Sequence, residues 1–400
     1  MNKTNFLVAH PLKHHAFQLG AGCLESGYRV KCIFPLYYRF GLGFLNLLPP
    51  SKFNKLLGYI RPAIHTSNLQ TSFSFKVKRL VTRSLVNYVD EFDRYVSAKI
   101  ISGALSSDVF ISLQDYMPLS VDAAKKQGML IWSDQILNNS RSARSSILGI
   151  IKRYQPNHTD HFDFSKNERI LHLADVITSP CEYCDSGFVG QIRKEAQLFR
   201  IPYGVDESTF TPKKFYRTQG TIRVLVRAQN IRKGGLQFLE AVSYFSKIWP
   251  QSEDAVEFTI IGNLDTHVSS ALRIMDLPTW LSVKNTVVPN SDMPDLMRTS
   301  DFFMMPSMSE SMSLMCIEAM KIGLPLMITN ECGIDKFNNS MGYKIEPSAQ
   351  SILEGLIYFM SKRDLWESWG KKASVVSQAY SWHNYRSVVA QTAKKVMSQI

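Results

Sequence analysis

FFMMPSMSESMSLMCIEAMKIGLPLMITN, residues Phe302–Asn330, is the stretch that decides how the rest of the chain is read. Phe302–Met305 is a short apolar run that turns at Pro306-Ser307. Glu310 comes next, and a helix-period pattern then carries Glu318. Gly323-Leu324-Pro325 stops that helix before a second apolar run, Leu326–Ile328. Strand, loop, helix, turn and strand is the layout of a parallel βαβ unit. Ligands of such sheets bind beyond the carboxyl ends of the strands. Glu310 therefore sits at ligand level, and Glu318 about two turns along the helix at roughly 1.5 Å rise per residue. An ordinary crossover with two solvent-facing glutamates is the less favoured alternative for this stretch taken alone.

Further βα units precede it. Ile222–Val226 reads as a strand, Arg227 and Lys233-Gly234-Gly235 as the loop after it, and Leu236–Phe245 as a helix. Glu257–Ile261 is a strand ending at Gly262-Asn263, and Thr286–Pro289 a strand ending at Asn290-Ser291. In the first half, Asn5–His10, Ala16–Ser26 and Tyr28–Phe34 form strand, helix and strand around the loop Pro11-Leu12-Lys13-His14-His15. Lys78–Ser102 reads as a long helix or a helix pair, and Val109–Leu113 as a buried strand. Asp122–Gln127 reads as helix, and Met129–Trp132 as a strand that delivers Ser133-Asp134-Gln135. Asp134 can act as a base or orient a hydroxyl, or simply cap the next helix. Ser165–Ala174 and Cys181–Arg193 read as helices flanking a strand at Asp175–Ser179. Ser351–Ser361 and Arg363–Tyr380 close the second half as helices, and Tyr380-Ser381-Trp382 opens a last one to Ile400.

Four hundred residues exceed what one core usually fills, so two domains are expected. No apolar run approaches the roughly 20 residues of a spanning helix, and the N-terminus lacks a signal-peptide pattern. A cytoplasmic protein is expected. The six cysteines, with Cys181-x-x-Cys184 a lone pair, do not form a disulfide framework. Net charge is +12, and its distribution says more than its size. Ser26–Tyr88 contains no Asp or Glu but ten Lys or Arg with aromatics between them. That pattern suits an anionic membrane leaflet, hence an expected peripheral place on the inner face of a membrane. No nucleic-acid-binding signature accompanies the charge, so no nucleic acid is expected as partner.

Pro-Ser, Glu310, seven residues, Glu318-Ala319-Met320 and Gly323-x-Pro325 together resemble the donor-site signature of retaining glycosyltransferases of family four. That family has the GT-B architecture, two Rossmann-like α/β domains facing a central cleft with a C-terminal helix crossing back onto the first domain. Ile201-Pro202-Tyr203-Gly204-Val205-Asp206 is similar to its hinge, Arg227 and Lys233 to its diphosphate clamp, and Tyr380-Ser381-Trp382 to the start of its returning helix. The resemblance implies domains at 1–204 and 205–380 and a returning helix at 381–400. It implies transfer of a sugar from a nucleoside diphosphate sugar to a glycan or lipid-linked acceptor, with retention and without metal or other cofactor. Glu310 would face the sugar, and Glu318 would accept the ribose hydroxyls. Arg227 and Lys233 would hold the leaving diphosphate, and Asp134 would stand where a family histidine often contacts sugar or acceptor. Ser311, Met312, Ser313 and Leu314 replace the usual Gly-Phe-Gly and would offer main-chain N–H groups to phosphate. Asn290 and Gly262 would line the nucleoside end, and Lys13, His14 and His15 replace the glycine pair of the first loop. A non-catalytic scaffold and a sugar-nucleotide epimerase share this architecture and stay open as alternatives.

Overall fold

A computed structural model describes residues 4–12, 15–34, 69–70, 85–138, 164–188, 190–249 and 254–400, with short pieces at 144–145, 148–149 and 151–152. Two parallel sheets organise them. The first is built from β1 (Thr4–Ala9), β2 (Val30–Ile33), β3 (Leu69–Gln70), β4 (Ser107–Leu113), β5 (Leu130–Asp134), β6 (Val176–Ser179) and β7 (Gln197–Arg200). Its spatial order is 3-2-1-4-5-6-7. Helices α1 (Ala16–Glu25), α2 (Leu85–Ile101), α3 (Pro118–Lys126), α4 (Ser165–Leu173) and α5 (Glu182–Asp185) accompany it.

The second sheet is built from β8 (Ile222–Val226), β9 (Val256–Ile261), β10 (Leu281–Thr286), β11 (Phe302–Met305), β12 (Leu326–Thr329) and β13 (Gly342–Ile345). Its order is 10-9-8-11-12-13. Its helices are α6 (Gly235–Ile248), α7 (Thr266–Arg273), α8 (Met293–Arg298), α9 (Leu314–Ile322), α10 (Ala349–Met360) and α11 (Trp366–Ser377). Strand order reverses between β1 and β4 in one sheet and between β8 and β11 in the other, and such switch points open the crevices in which doubly wound folds bind ligands.

Burial explains why the strands read as continuous apolar runs. All four residues of β11 are buried; Phe302 and Met304 enter one core layer, Phe303 and Met305 the other. A sheet covered on both faces has no polar side to show. The last helix, α12 (Trp382–Met397), packs against α1. Gly22 makes that approach possible, since a Cβ there would lie 2.6 Å from the Cβ of Val389. Arg386 fastens the pair by donating to Glu25 at 2.5 Å and to Gln18 at 2.9 Å. Val205 forms a parallel bridge to Ser381, so the outgoing and returning connections run side by side.

Several expected elements differ. The helix expected over Cys181–Arg193 is only Glu182–Asp185, because the Asn138 amide donates to the Tyr183 carbonyl at 2.8 Å and to Ser186 Oγ at 3.0 Å where the next turn would form. The strand expected over Thr286–Pro289 lies at Leu281–Thr286, where β10 pairs with β9 from Leu281 opposite Val256 to Thr286 opposite Ile261. Helix α3 begins at Pro118, four residues before the expected start; proline is favoured in a first turn. Lys13, His14 and most of Ser26–Tyr88 lie outside the described residues. No helix of the described residues is long and apolar enough to cross a membrane.

Candidate active site

The switch point of the second sheet brings the loop after β8 against the loop after β11. The Arg227 main-chain N–H donates to the Met304 carbonyl at 2.9 Å, tying the two strand ends together. Its guanidinium donates to the Ile261 carbonyl at 3.0 Å across the Gly262 turn. Glycine is required there: φ is 104°, and a Cβ would sit 2.7 Å from Arg227 Nη1. Asn230 then caps a single 3-10 turn by accepting from the Lys233 N–H at 2.9 Å. Gly234, with φ 73°, closes the turn, and a Cβ on it would lie 2.1 Å from the Pro306 carbonyl oxygen. That close approach sets Lys233 onto the loop after β11.

Glu310 is held there by two cations. Lys233 Nζ contacts Glu310 Oε1 directly, and Arg232 Nη1 reaches the same oxygen at 2.8 Å and the Ser309 carbonyl at 2.5 Å. Burial pulls the Lys233 ammonium down, to about 7, with Arg232 and Arg227 adding to the effect. Arg227 is also lowered, by burial and then by Arg232, with Glu318 opposing. Glu318, partly buried on α9, is the mirror case. Burial raises its carboxyl to about 7, and Arg227 holds it back.

The glycine-free loop Ser311–Ser313 keeps its shape through its neighbours. Ser313 caps α9 by accepting from the Cys316 N–H at 3.3 Å, and its own N–H donates to the Cys332 carbonyl at 2.9 Å. Met312 is buried with its sulfur 3.2 Å from the Tyr203 nitrogen. The glycine this loop lacks is supplied across from it. Gly333 lies so close that a Cβ there would be 2.2 Å from the Ser311 carbonyl oxygen.

The first domain contributes a different wall. His15 precedes α1, and its Nε2 lies 2.5 Å from Asp134 Oδ2. The other carboxylate oxygen, Oδ1, accepts from Thr178 Oγ1 at 2.5 Å. Asp134 is 4% exposed and therefore stands behind His15 rather than in the cleft. The His15 ring packs on Tyr203, with centroids 4.4 Å apart, and edge-on to Tyr385 at 5.8 Å. Gln114, at the β1–β4 switch point, has φ 46°, the one positive φ outside glycine among the described residues. Its Oε1 accepts from the Ile136 and Leu137 N–H groups at 2.8 and 3.0 Å, which fixes the loop after Asp134.

Two cavities lie along this cleft and share Arg227, Leu314, Met315 and Trp382. One, about 470 Å³, is lined by His15, Lys233, Glu310 and Ser311–Leu314. The other, about 500 Å³, is lined by Glu318, Asn290 and Gly262. Thus the residues expected on the donor side converge, and His15 joins them from the first domain. Asp134 reaches the cleft only through His15. Arg232, Gln114, Tyr203 and Trp382 were not anticipated as site residues. Arg232 adjoins Lys233 and was legible as a second cation, whereas the other three carry no local signal of where they point.

The fold is GT-B. It is shared over 100% of both chains with a sucrose-phosphate synthase from Thermosynechococcus elongatus, at a TM-score of 0.66 and 14% identity. Anabaena HepE in complex with UDP and glucose matches over 99% of this chain and 100% of that one, at 0.62 and 12%. The chain is related to the glycosyl transferases group 1, whose family model matches residues 211–375. The D-inositol 3-phosphate glycosyltransferase of Paenarthrobacter aurescens is 27% identical over 224 residues, covering 51% of this chain and 53% of that protein. The protein of the same name from Pseudarthrobacter chlorophenolicus is 30% identical over 148 residues, 34% of each. The chain thus spans about half, or about a third, of the curated relatives it matches.

Proposed function

We propose that this protein is a nucleotide-sugar-dependent glycosyltransferase that retains anomeric configuration. The observation that carries the reading is the pair of cavities joined at Arg227, with one glutamate in each. A nucleoside diphosphate sugar has the same order: nucleoside, two phosphates, sugar. In the lobe of Asn290 and Gly262, Glu318 accepts the ribose hydroxyls. Arg227 and Lys233 hold the diphosphate at the junction and stabilise the charge it gains as the glycosidic bond breaks. Glu310 then faces the sugar, and Ser311–Leu314 frame the α9 N-terminus beside the phosphates. Lys233 and Arg232 share the single carboxylate of Glu310 in this structure, which offsets one of their two charges. A bound diphosphate takes over the cations and leaves Glu310 to hydrogen-bond the sugar.

Across the cleft His15, held by Asp134, orients the acceptor hydroxyl toward the anomeric carbon. The leaving phosphate takes the acceptor proton on the same face, so the new bond forms where the old one broke. The acid-free basic stretch Ser26–Tyr88 supports an anionic, membrane-linked glycan acceptor at the inner face of a membrane.

Thermal-shift measurements with UDP-, GDP-, ADP- and TDP-sugars test the donor, since a ligand of the native state raises its apparent stability. UDP-glucose is the first to try, because HepE was solved with UDP and glucose. Glu318→Ala should weaken nucleotide binding, and Glu310→Ala should spare binding and cost turnover. Wild-type kinetics in both variants would sink the assignment. Donor consumed without any acceptor, beyond slow hydrolysis, would point to an epimerase instead.

A further inference from the structure

A third cavity, about 480 Å³, lies at the other end of the second sheet. Arg223 at the start of β8 and Ser300-Asp301 just before β11 form one side, and Lys213, Lys214 and Phe215 of the segment joining the two sheets form the other. The cleft described above opens beyond the carboxyl ends of the same strands, so the two places are separated by the length of the sheet. Volumes of this size hold small ligands.

Charge in this cavity is one-sided. Lys213, Lys214, Arg217, Arg223 and Arg298 line it against a single carboxylate, Asp301. Asp301 is already engaged: it accepts from Arg217 Nε at 3.1 Å and Nη2 at 2.8 Å, and from the Arg223 main-chain N–H at 2.7 Å. Arg298 bonds Thr211 Oγ1 at 2.9 Å and the exposed Asp295 at 2.7 Å. Among the described residues Lys213 Nζ bonds the neutral Ser300 carbonyl, at 2.9 Å, and lies over the face of Tyr216, 4.5 Å from the ring centroid. Burial pulls this ammonium down to about 8; Asp301 opposes that and Arg217 adds to it. Lys214 and Arg223 are exposed and turned to the same space. A partly buried lysine set among further cations is costly unless an anion joins them. Arg forks combined with Lys point charges suit the tetrahedral oxygens of phosphate.

We infer that this cavity is a phosphate-binding site, distinct from the donor cleft, that takes a phosphate group either free or on a lipid headgroup. The segment carrying it runs directly from the connection at Val205, and the Lys213 N–H donates to the Ile322 carbonyl at the end of α9 at 2.8 Å. A phosphate held here therefore anchors the joining segment to the helix that carries Glu318.

The double variant Lys214→Ser/Arg223→Ser tests it, because both side chains are exposed and the fold does not depend on them. Isothermal titration of the full chain with inorganic pyrophosphate should show two sites, one here and one at Arg227 and Lys233. The double variant should lose one of them, at least tenfold in affinity, and keep the other. Co-sedimentation with phosphatidylglycerol/phosphatidylcholine vesicles, against phosphatidylcholine alone, separates the sources. Loss of pyrophosphate binding with unchanged vesicle binding assigns the site to free phosphate. Loss of binding to the anionic vesicles assigns it to a headgroup. Unchanged stoichiometry together with unchanged vesicle binding overturns the inference. The outcome is independent of the proposed activity: were the cleft to bind no pyrophosphate, the full chain would show one site and the double variant none.

Discussion

The two walls of the cleft hold charge in opposite ways. On the second-domain wall Arg227, Arg232 and Lys233 outnumber Glu310 and Glu318, and one carboxylate oxygen serves two cations. Such an arrangement is open to exchange, since an incoming polyanion can displace Glu310 without leaving a cation unpaired. On the first-domain wall the carboxylate that faces His15 has no oxygen left to exchange among the described residues. Both oxygens of Asp134 are engaged, by His15 and by Thr178, and aromatic rings close over the histidine. The difference separates two tasks: one wall binds and releases charge, and the other holds one ring at one angle.

Removing a cation tests the exchangeable wall most severely. Arg227→Ala should lower kcat by about 10²–10³-fold, the usual cost of one donor aimed at developing charge, and should raise the donor Kd as well. Steady-state kinetics with donor titration reads both. The rigid wall should respond differently. Asp134→Asn leaves His15 unsupported and should cost about 10²-fold in kcat, the lower range for a positioned proton-handling group, while the donor Kd stays at its wild-type value. Equal loss of donor affinity in both variants would erase the distinction between the walls.

How much of this was legible depends on how local the cause is. Glu310, Glu318, Arg227 and Lys233 sit at fixed offsets from strand ends, so the turn from β11 into α9 and from β8 into α6 could be read from apolar runs and glycines. The strands and helices around those four residues lie where expected for the same reason. β13 carried no comparable signal: Gly342-Tyr343-Lys344-Ile345 is four residues with a lysine inside, and only pairing with β12 makes it a strand. The His15–Asp134 contact joins residues 119 positions apart, a separation that no local pattern encodes. Glu310's contact with Lys233 bridges 77 positions, yet both were singled out, because each carried its own local signal. His15 and Asp134 were singled out in the same way, so in both pairs the residues were legible one at a time and the contact between them was not.

A smaller effect arises from the carboxyl that the second wall keeps partly buried. Glu318 titrates near 7 in the folded chain, against about 4.3 for an unperturbed glutamate. The folded state therefore binds this proton more tightly than the unfolded state does, and its share of the stability falls as pH rises from about 4.5 to about 7, then levels. Urea midpoints at pH 5, 6, 7 and 8 should show that decline, and Glu318→Gln should reduce it. A slope unchanged in the variant would place the titration elsewhere, and the cation-rich wall would then hold an ionised Glu318 throughout.

The smallest expected effect concerns what keeps the two walls facing each other. Ser381 caps α12 by accepting from the Asn384 N–H at 3.1 Å, and the same residue bridges to Val205. Gly204 lies so close that a Cβ there would be 2.1 Å from the Ser381 carbonyl carbon. Ser381→Ala removes the cap but not the bridge, so it should cost about 1 kcal/mol, as lost N-caps do, with kcat and both KM values unchanged. Gly204→Ala pushes the two connections apart and should change acceptor and donor KM together, because both walls shift. Should Ser381→Ala alone alter catalysis, the cap itself sets the distance between the walls, and the rigid side of the comparison extends to the end of the chain.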